Sequence, residues 1–275
     1  MGVMNKTARQ TLATCERVVI KVGTSTIMYP NGTVNLQKLD KLSFVLSDLR
    51  NQGKEVILVS SGAVGVGLHR LKLQQSPRSI PEQQAVASVG QSELMSLYST
   101  FFFNYGQIIG QVLMTRDIII FPESRLNAIN TFEQLLKQKV IPIVNENDTV
   151  AVDELDHATK FGDNDQLSAI VAEITQADLL IMLSDIDGFY DRNPNEDDQA
   201  NLFHEVNCIT PELYSLAGGV GSKFGTGGMV SKLKAAEHVL KQSSKMVLAN
   251  GANPTDIFKI IAGEEIGTLF TPAHD

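Results

Sequence analysis

The segment RVVIKVGTS, residues 17–25, decides the class of fold. It starts as a short apolar run without polar alternation, and it then reaches Lys21 and the turn residue Gly23. A continuous apolar run of this length is typical of a strand that is covered on both faces, as in a parallel sheet between helices. The segment therefore predicts a buried strand with a lysine and a glycine turn at its carboxyl end.

Five more short apolar runs follow along the chain, separated by helical patterns. With the first run, they predict strands at residues 17–22, 55–60, 108–114, 140–144, 178–183 and 245–249. Apolar residues recur at helical spacing over 36–49, 167–174 and 229–240. This alternation predicts an α/β protein, a three-layer αβα sandwich around a mostly parallel sheet, in which ligands bind at the carboxyl ends of the strands.

Polar and glycine-rich motifs follow four of these strands. They are GTS at 23–25, SSGAVGVG at 60–67, NEND at 145–148 and SD at 184–185. Taken singly, each has an ordinary explanation: a solvated lysine beside a turn, glycines that permit close helix–strand packing, or a turn rich in Asn and Asp. A lone glycine-rich loop is weak evidence of a binding site.

The motif GDND, residues 162–165, directly precedes a predicted amphipathic helix. One Asp or Asn there is a normal helix cap, because its side chain accepts from the first free backbone amides. Asp163, Asn164 and Asp165 in succession exceed what a cap needs. They are therefore candidate site residues.

A second lysine beside a glycine turn lies in FGTGGMVSKL, residues 224–233. Glycine lets backbone amides approach an anion closely, and a helix N-terminus favours negative charge. A lysine in such a place can neutralise charge on a phosphoryl group during its transfer. Lys21 and Lys232, each beside a glycine turn, together predict a phosphotransferase.

Composition limits the possible partners. The chain has 275 residues, 43% of them hydrophobic, and a net charge of −8, which argues against binding to nucleic acid or to a membrane surface. Its two cysteines, Cys15 and Cys208, are too few for a disulfide framework, and the polar N-terminus lacks a signal sequence. We therefore expect a cytoplasmic protein.

Other known phosphate and metal motifs do not fit. The sequence has no GxxxxGK[ST] loop, no HRD or DFG set and no Cys/His spacing for zinc. The SDIDG segment that starts at Ser184 is not a calcium loop, because Phe189 stands where the loop needs an oxygen ligand.

The motifs taken in order resemble the amino acid kinase family. The resemblance covers residues 17–270 and rests on VVIKVGTS, VILVSSGAVGVG, PIVNENDTV, KFGDNDQLSA, LLIMLSDIDGFY and GTGGMVSKLKAA. The NEND, GDND and GTGGM set resembles the members that phosphorylate the γ-carboxylate of L-glutamate with ATP, at the start of proline biosynthesis. The alternatives are an acetylglutamate- or aspartate-like kinase, or a catalytically silent amino-acid sensor on the same fold.

The resemblance also implies roles for individual residues. The implied catalytic residues are Lys21, Lys232, Asp163 and Asp165. The implied substrate-binding residues are Ser61, Gly62, Asn145, Asp148 and Asn164. The implied nucleotide-binding residues are Lys21, Gly23, Ser184, Asp185, Thr226, Gly227, Gly228, Met229, Val230, Ser231 and Lys232. Mg²⁺ is the implied cofactor, carried by the ATP phosphates without a direct protein ligand.

The same resemblance implies one amino acid kinase domain over residues 1–275, with 1–16 as a lead-in. Its N-terminal half would bind glutamate and its C-terminal half the nucleotide. Because the sequence stops at Asp275, we expect the short form, without the RNA-binding-type PUA domain that many relatives carry. A homo-oligomer, dimer or tetramer, is expected, and residues 149–161 are the candidate sensor of proline as a feedback inhibitor.

Overall fold

A computed structural model describes residues 7–73, 77–151, 164–218 and 228–272. In these ranges eight strands form one sheet in the order β3-β4-β2-β1-β5-β7-β8-β6. The strands are β1 Arg17–Val22, β2 Glu55–Ser60, β3 Ile109–Met114, β4 Ile141–Glu146, β5 Leu179–Ser184, β6 Glu205–Val206, β7 Lys245–Asn250 and β8 Thr268–Phe270. Every pairing is parallel except that of β7 with β8.

Helices connect these strands. After a 3-10 helix at Arg9–Thr14, they are α1 Thr24–Ile27, α2 Leu36–Asn51, α3 Ala63–Leu71, α4 Ile80–Asn104, α5 Asp117–Ile120, α6 Pro122–Lys137, α7 Asn164–Ile174, α8 Pro211–Gly218, α9 Met229–Lys241 and α10 Asp256–Ala262. None of the helices in the described ranges has both the length and the apolar character that crossing a membrane would require.

All six predicted strands are confirmed, two of them with the predicted bounds. The prediction for β4 ended too early, at residue 144, because Asn145 and Glu146 looked like turn residues. They are the last two residues of the strand and pair with Leu113 and Met114 of β3. The sequence analysis missed β6 and β8, which have only two and three residues.

The sheet is covered on both sides, as predicted for a three-layer fold. Alternate residues of β1 face opposite ways: Val18 and Ile20 pack in the core under α2, α4 and α10, whereas Val19 packs in the core under α6, α7 and α9. We call these sides the α4 face and the α7 face. Because side chains alternate along a strand, Lys21 has the same orientation as Val19 and lies on the α7 face.

Gly67 of the second motif and Gly90 of α4 bring α3 and α4 into backbone contact. A β-carbon at Gly67 would lie 2.0 Å from the carbonyl oxygen of Val86, and one at Gly90 would lie 1.7 Å from that of Ala63. Neither site has room for a larger residue. Gly67 therefore serves helix–helix packing, not the helix–strand packing considered from the sequence.

Candidate active site

Lys21 and Lys232 meet at one carboxylate. Nζ of Lys21 lies 2.5 Å from Oδ1 of Asp165, and Nζ of Lys232 lies 3.2 Å from Oδ2 of the same side chain. Asp165 is only 1% exposed, and the two lysines are 8% and 7% exposed. The alternative of a solvated Lys21 is therefore wrong, since its ammonium group is buried and paired.

The fold brings these three groups together on the α7 face. Lys21 points to that side from β1, and Asp165 and Lys232 lie in the first turns of α7 and α9, which cover it. A carboxylate is stabilised near a helix N-terminus, while a lysine there is opposed by the helix dipole. Asp165 thus offsets an unfavourable position of Lys232.

A second polar group gathers on the α4 face, where β2 and β4 end. The amide nitrogen of Asn164 lies within hydrogen-bond distance of three acceptors: Oγ of Ser61 at 2.8 Å, Oδ1 of Asn145 at 2.9 Å and the carbonyl oxygen of Ser60 at 3.1 Å. Asn145, 2% exposed, also donates from Nδ2 to Oε1 of Gln91 on α4 at 2.8 Å. Asn164 thus contacts two of the other residues predicted to bind substrate, Ser61 and Asn145.

The N-terminus of α7 connects the two groups. Asn164 is the first residue of the helix and contacts the polar group on the α4 face, and its neighbour Asp165 contacts the two lysines. The sequence analysis took the three polar residues of GDND to be more than a cap requires. The contacts of Asn164 and Asp165 agree with that interpretation.

Beside Lys232 lies a cavity of about 760 Å³ between the end of β5 and the start of α9. This volume is in the range of small-molecule sites. The residues that line it are Ser184, Asp185, Ile186, Asp187, Phe189, Tyr190, Arg192, Asn193, Pro194, Asn195, Leu216, Ala217, Gly228, Met229, Lys232 and Asn250. They include five of the residues predicted to bind nucleotide.

The other six predicted nucleotide residues include Lys21 and Gly23 at the end of β1, which do not line this cavity. Val230 and Ser231 lie in the first turn of α9, where the carbonyl oxygen of Ser231 accepts from Nε2 of Gln166 at 3.2 Å. Thr226 and Gly227 lie outside the described residues. So does Asp163, the fourth predicted catalytic residue.

Two glycines beside the site, Gly62 and Gly23, have different structural roles. Gly62 has a φ of +99° and a β-carbon there would lie 2.7 Å from Cδ1 of Ile27, so both conformation and packing call for glycine. A β-carbon at Gly23 would meet only ordinary contacts, the nearest being Nζ of Lys21 at 3.7 Å. Gly23 thus leaves open the space next to the Lys21 ammonium group.

Asp148 follows β4 and is half-buried.

Some site residues were not found from the sequence. Gln91 carries no local signature, because a glutamine within a helix has no distinctive spacing. Residues 191–199 were interpreted as a solvated loop, but four of them line the cavity. The loop is ordered by Asp191, whose pKa is lowered first by backbone and side-chain hydrogen bonds from Asn201 and then by the charge of Arg192.

In the described parts of the chain, no group of three or more His, Cys, Asp or Glu residues is placed to hold a metal ion.

A mostly parallel αβα sandwich with two lysines converging at the carboxyl edge of its sheet is suited to binding phosphate groups. The family model for the amino acid kinase family matches residues 16–250, and the chain belongs to this family.

Relatives with high sequence identity show which members of the family the chain is similar to. The glutamate 5-kinase of Listeria monocytogenes serovar 1/2a is 66% identical over 262 residues, covering 95% of each chain. The glutamate 5-kinase of Enterococcus faecalis is 64% identical over 262 residues, covering 95% of this chain and 97% of the relative.

Solved structures share the fold at much lower identity. The isopentenyl phosphate kinase of T. acidophilum superposes with a TM-score of 0.58 at 16% identity, covering 92% of this chain and 99% of that one. The UMP kinase of Bacillus anthracis superposes with a TM-score of 0.60, also at 16% identity, covering 94% and 97%. Identities this low bear on the fold alone.

Proposed function

We propose that this chain transfers the terminal phosphoryl group of ATP to the γ-carboxylate of L-glutamate, giving ADP and γ-L-glutamyl 5-phosphate, the first step of proline biosynthesis. The observation that carries the proposal is the convergence of Lys21 and Lys232 on Asp165, between the cavity on one side and the Asn164 group on the other. The relatives named glutamate 5-kinase, at 64–66% identity, support the same acceptor.

The nucleotide would occupy the 760 Å³ cavity, with its phosphates toward Lys232 and the N-terminus of α9. Backbone amides at a helix start suit anions, and Gly228 and Met229 are at that position. Phe189 and Leu216 offer apolar surface for a base. Ser184 and Asp185 would contact the nucleotide from the end of β5. Thr226, Gly227, Val230 and Ser231 stay predictions.

L-Glutamate would bind against the polar group on the α4 face. Since Oγ of Ser61 accepts from Asn164, the hydroxyl can still donate its hydrogen to a further acceptor, such as a substrate carboxylate. The nitrogen end of the Asn164 amide faces protein acceptors, so its oxygen is the end that can accept from the α-ammonium group. Asp148 would pair with that ammonium, and Gly62 would leave room for the ligand.

The chemistry needs charge neutralisation more than proton transfer. A glutamate side chain has an ordinary pKa of about 4.3 and is already a nucleophile at neutral pH, so no general base is required. The obstacle is the approach of one anion to another, in line with the leaving group. Lys21 and Lys232 would offset that repulsion, while Asp165, with Asp163, would keep both ammonium groups in place.

Mg²⁺ is the cofactor we expect, bound through ATP. Both oxygens of Asp165 face lysine ammonium groups, so this carboxylate is not set up as a metal ligand. Such surroundings fit an ion carried by phosphates and water, the usual way that Mg²⁺ enters kinase sites. When bound, the ion would supply further positive charge on the phosphates.

The proposal extends to the domain organisation, the location and the oligomeric state of the protein. We infer one kinase domain over 1–275, a cytoplasmic location, and a homo-oligomer. Association is supported by the exposed apolar side chains that flank β3 at the end of the sheet, namely Phe103, Ile108, Ile120, Phe121 and Leu126. Proline as a feedback inhibitor also stays a proposal, since most of residues 149–161 lie outside the described ranges.

A substrate panel tests the function. Purified protein with MgATP is assayed for ADP release with L-glutamate, N-acetyl-L-glutamate and L-aspartate, and the acyl phosphate is trapped as its hydroxamate. We expect turnover with L-glutamate above both analogues. Preference for an analogue would favour another amino acid kinase, and binding of glutamate or proline without ADP release would favour a sensor.

A further inference from the structure

Gln91 on α4 holds the side-chain amide of Asn145 in one orientation. Its Oε1 accepts from Nδ2 of Asn145 at 2.8 Å. The other end of the Asn145 amide, Oδ1, accepts from the backbone N–H of Glu146 and from Nδ2 of Asn164, each at 2.9 Å. Both ends of this buried amide are thus engaged.

These partners determine which way the Asn145 amide points. The backbone N–H of Glu146 can only donate, so it requires the oxygen of Asn145 on its side. The nitrogen then points to α4, where Gln91 supplies an acceptor. A buried donor that loses its acceptor carries a desolvation penalty, so the observed orientation depends on both contacts.

We propose that Gln91 is a positioning residue for the acceptor substrate, acting through Asn145 and Asn164 on the Ser61 hydroxyl. This inference rests on the proposed function. The oxygen of Asn145 holds the Asn164 amide, and the Asn164 nitrogen in turn reaches the Ser61 oxygen at 2.8 Å. A change in the orientation of the Asn145 amide would therefore displace Asn164 and, through it, Ser61, which are the side chains that would bind glutamate.

α4 is well placed to hold this chain of hydrogen bonds. Gly90, the residue before Gln91, packs directly against the backbone of α3. Two turns further along, the hydroxyl of buried Tyr98 lies 2.9 Å from Oγ of Ser60 at the end of β2. The helix therefore reaches the carboxyl ends of β2 and β4 from one face, and Gln91 sits on a support that cannot shift freely.

The test compares Gln91→Met and Gln91→Leu with wild type by initial-rate kinetics. Both remove the acceptor amide, and methionine keeps the length of the side chain. We expect the KM for L-glutamate to rise about tenfold, the scale of one lost hydrogen bond, with the KM for ATP unchanged. Gln83→Leu, an exposed glutamine on the same helix, is the matched control and should behave as wild type. Equal rises in both KM values, or no rise in Gln91→Met, would overturn the proposal.

A double-mutant cycle distinguishes positioning from a general loss of structure. If Gln91 acts through Asn145, then Gln91→Met should have no further effect on the KM for L-glutamate in an Asn145→Ala background. Additive effects would refute the inferred route. Wild-type turnover of L-glutamate is measured first, so a failure of the proposed function would appear there and not in the variants.

Discussion

Lys21 and Lys232 contact the two different oxygens of the Asp165 carboxylate, at 2.5 and 3.2 Å, although they come from the first strand and a late helix. All three of these charged side chains are buried. Burying charge is costly unless it is compensated. Asp165 provides compensation to both lysines, which ties the stability of the site to this one carboxylate.

Lys232→Ala should remove most turnover while leaving L-glutamate binding nearly intact. The lysine lines the nucleotide cavity and is placed to act on transferring charge, and loss of one such preorganised contact costs about 100- to 1,000-fold in kcat. ADP release measures turnover, and calorimetric titration measures L-glutamate binding. Lys234→Ala, an exposed lysine on the same helix, is the matched control. A normal kcat in Lys232→Ala would exclude the assigned role.

Asp165→Asn should weaken the fold as well as the activity. The variant leaves two buried ammonium groups facing a neutral amide, and breaking a buried ion pair from one side costs about 3 kcal/mol or more. We expect the free energy of unfolding, measured with urea, to fall by that amount, with kcat reduced too. Exposed Asp198→Asn serves as the comparison. Wild-type stability in Asp165→Asn would show that the lysines do not depend on this carboxylate.

Asp148→Ala should raise the KM for L-glutamate and leave the KM for ATP nearly unchanged. The residue follows β4, on the acceptor side of the site, and is half-buried. Truncating one partner of a charge pair costs about 2 kcal/mol or more, which corresponds to about 30-fold or more in affinity. Initial rates with each substrate varied in turn provide the measurement. Parallel increases in both constants would remove Asp148 from the acceptor pocket.

The sequence was sufficient to predict six of the eight strands in the described ranges and to select the two lysines, because apolar runs and glycine turns are local signals. The sequence did not show whether Lys21 is solvated or buried. Its burial depends on Asp165 and Lys232, which only tertiary packing brings near. The sequence prediction ended β4 too early because the polar Asn145 resembles a turn residue, and pairing with β3 overrides that tendency.

Contacts between distant residues could not be inferred from local patterns. Gln91 and Asn145 are 54 positions apart, and nothing near either residue indicates the other. The cavity wall formed by residues 192–195 was missed for a similar reason, since a polar loop reads as solvated whether or not it borders a cavity. The ligand roles of the site residues stay predictions, for which the variants above are tests.

Gly90→Ala should destabilise the protein through the contact between α3 and α4. The added methyl group would lie 1.7 Å from the carbonyl oxygen of Ala63 and 2.5 Å from the backbone nitrogen of Gly67, so backbone would have to move. Overpacking of this kind costs about 1–3 kcal/mol. Urea unfolding gives the change, with exposed Ser92→Ala on the same helix as the control. A variant as stable as wild type would mean that the two helices separate at little cost.

Tyr98→Phe should change how stability depends on alkaline pH. Burial raises the pKa of Tyr98 above its ordinary value of 10, with the hydrogen bond to Ser60 acting in the opposite direction. Above pH 10 the unfolded chain releases a proton that the folded protein retains, so the free energy of unfolding falls as pH rises. Phenylalanine has no proton to release, and the decline above pH 10 should be shallower in the variant.

At neutral pH the same substitution leaves the Ser60 hydroxyl without the Tyr98 oxygen, and we expect a loss of about 1 kcal/mol. Urea unfolding at a series of pH values from neutral to above 10 measures both effects in one experiment. Tyr29→Phe, at a tyrosine that is 44% exposed, controls for loss of a hydroxyl at the surface. Stability curves that run parallel for Tyr98→Phe and wild type above pH 10 would show that Tyr98 ionises as readily in the folded protein as in the unfolded chain, and that its burial between α4 and the sheet is incomplete.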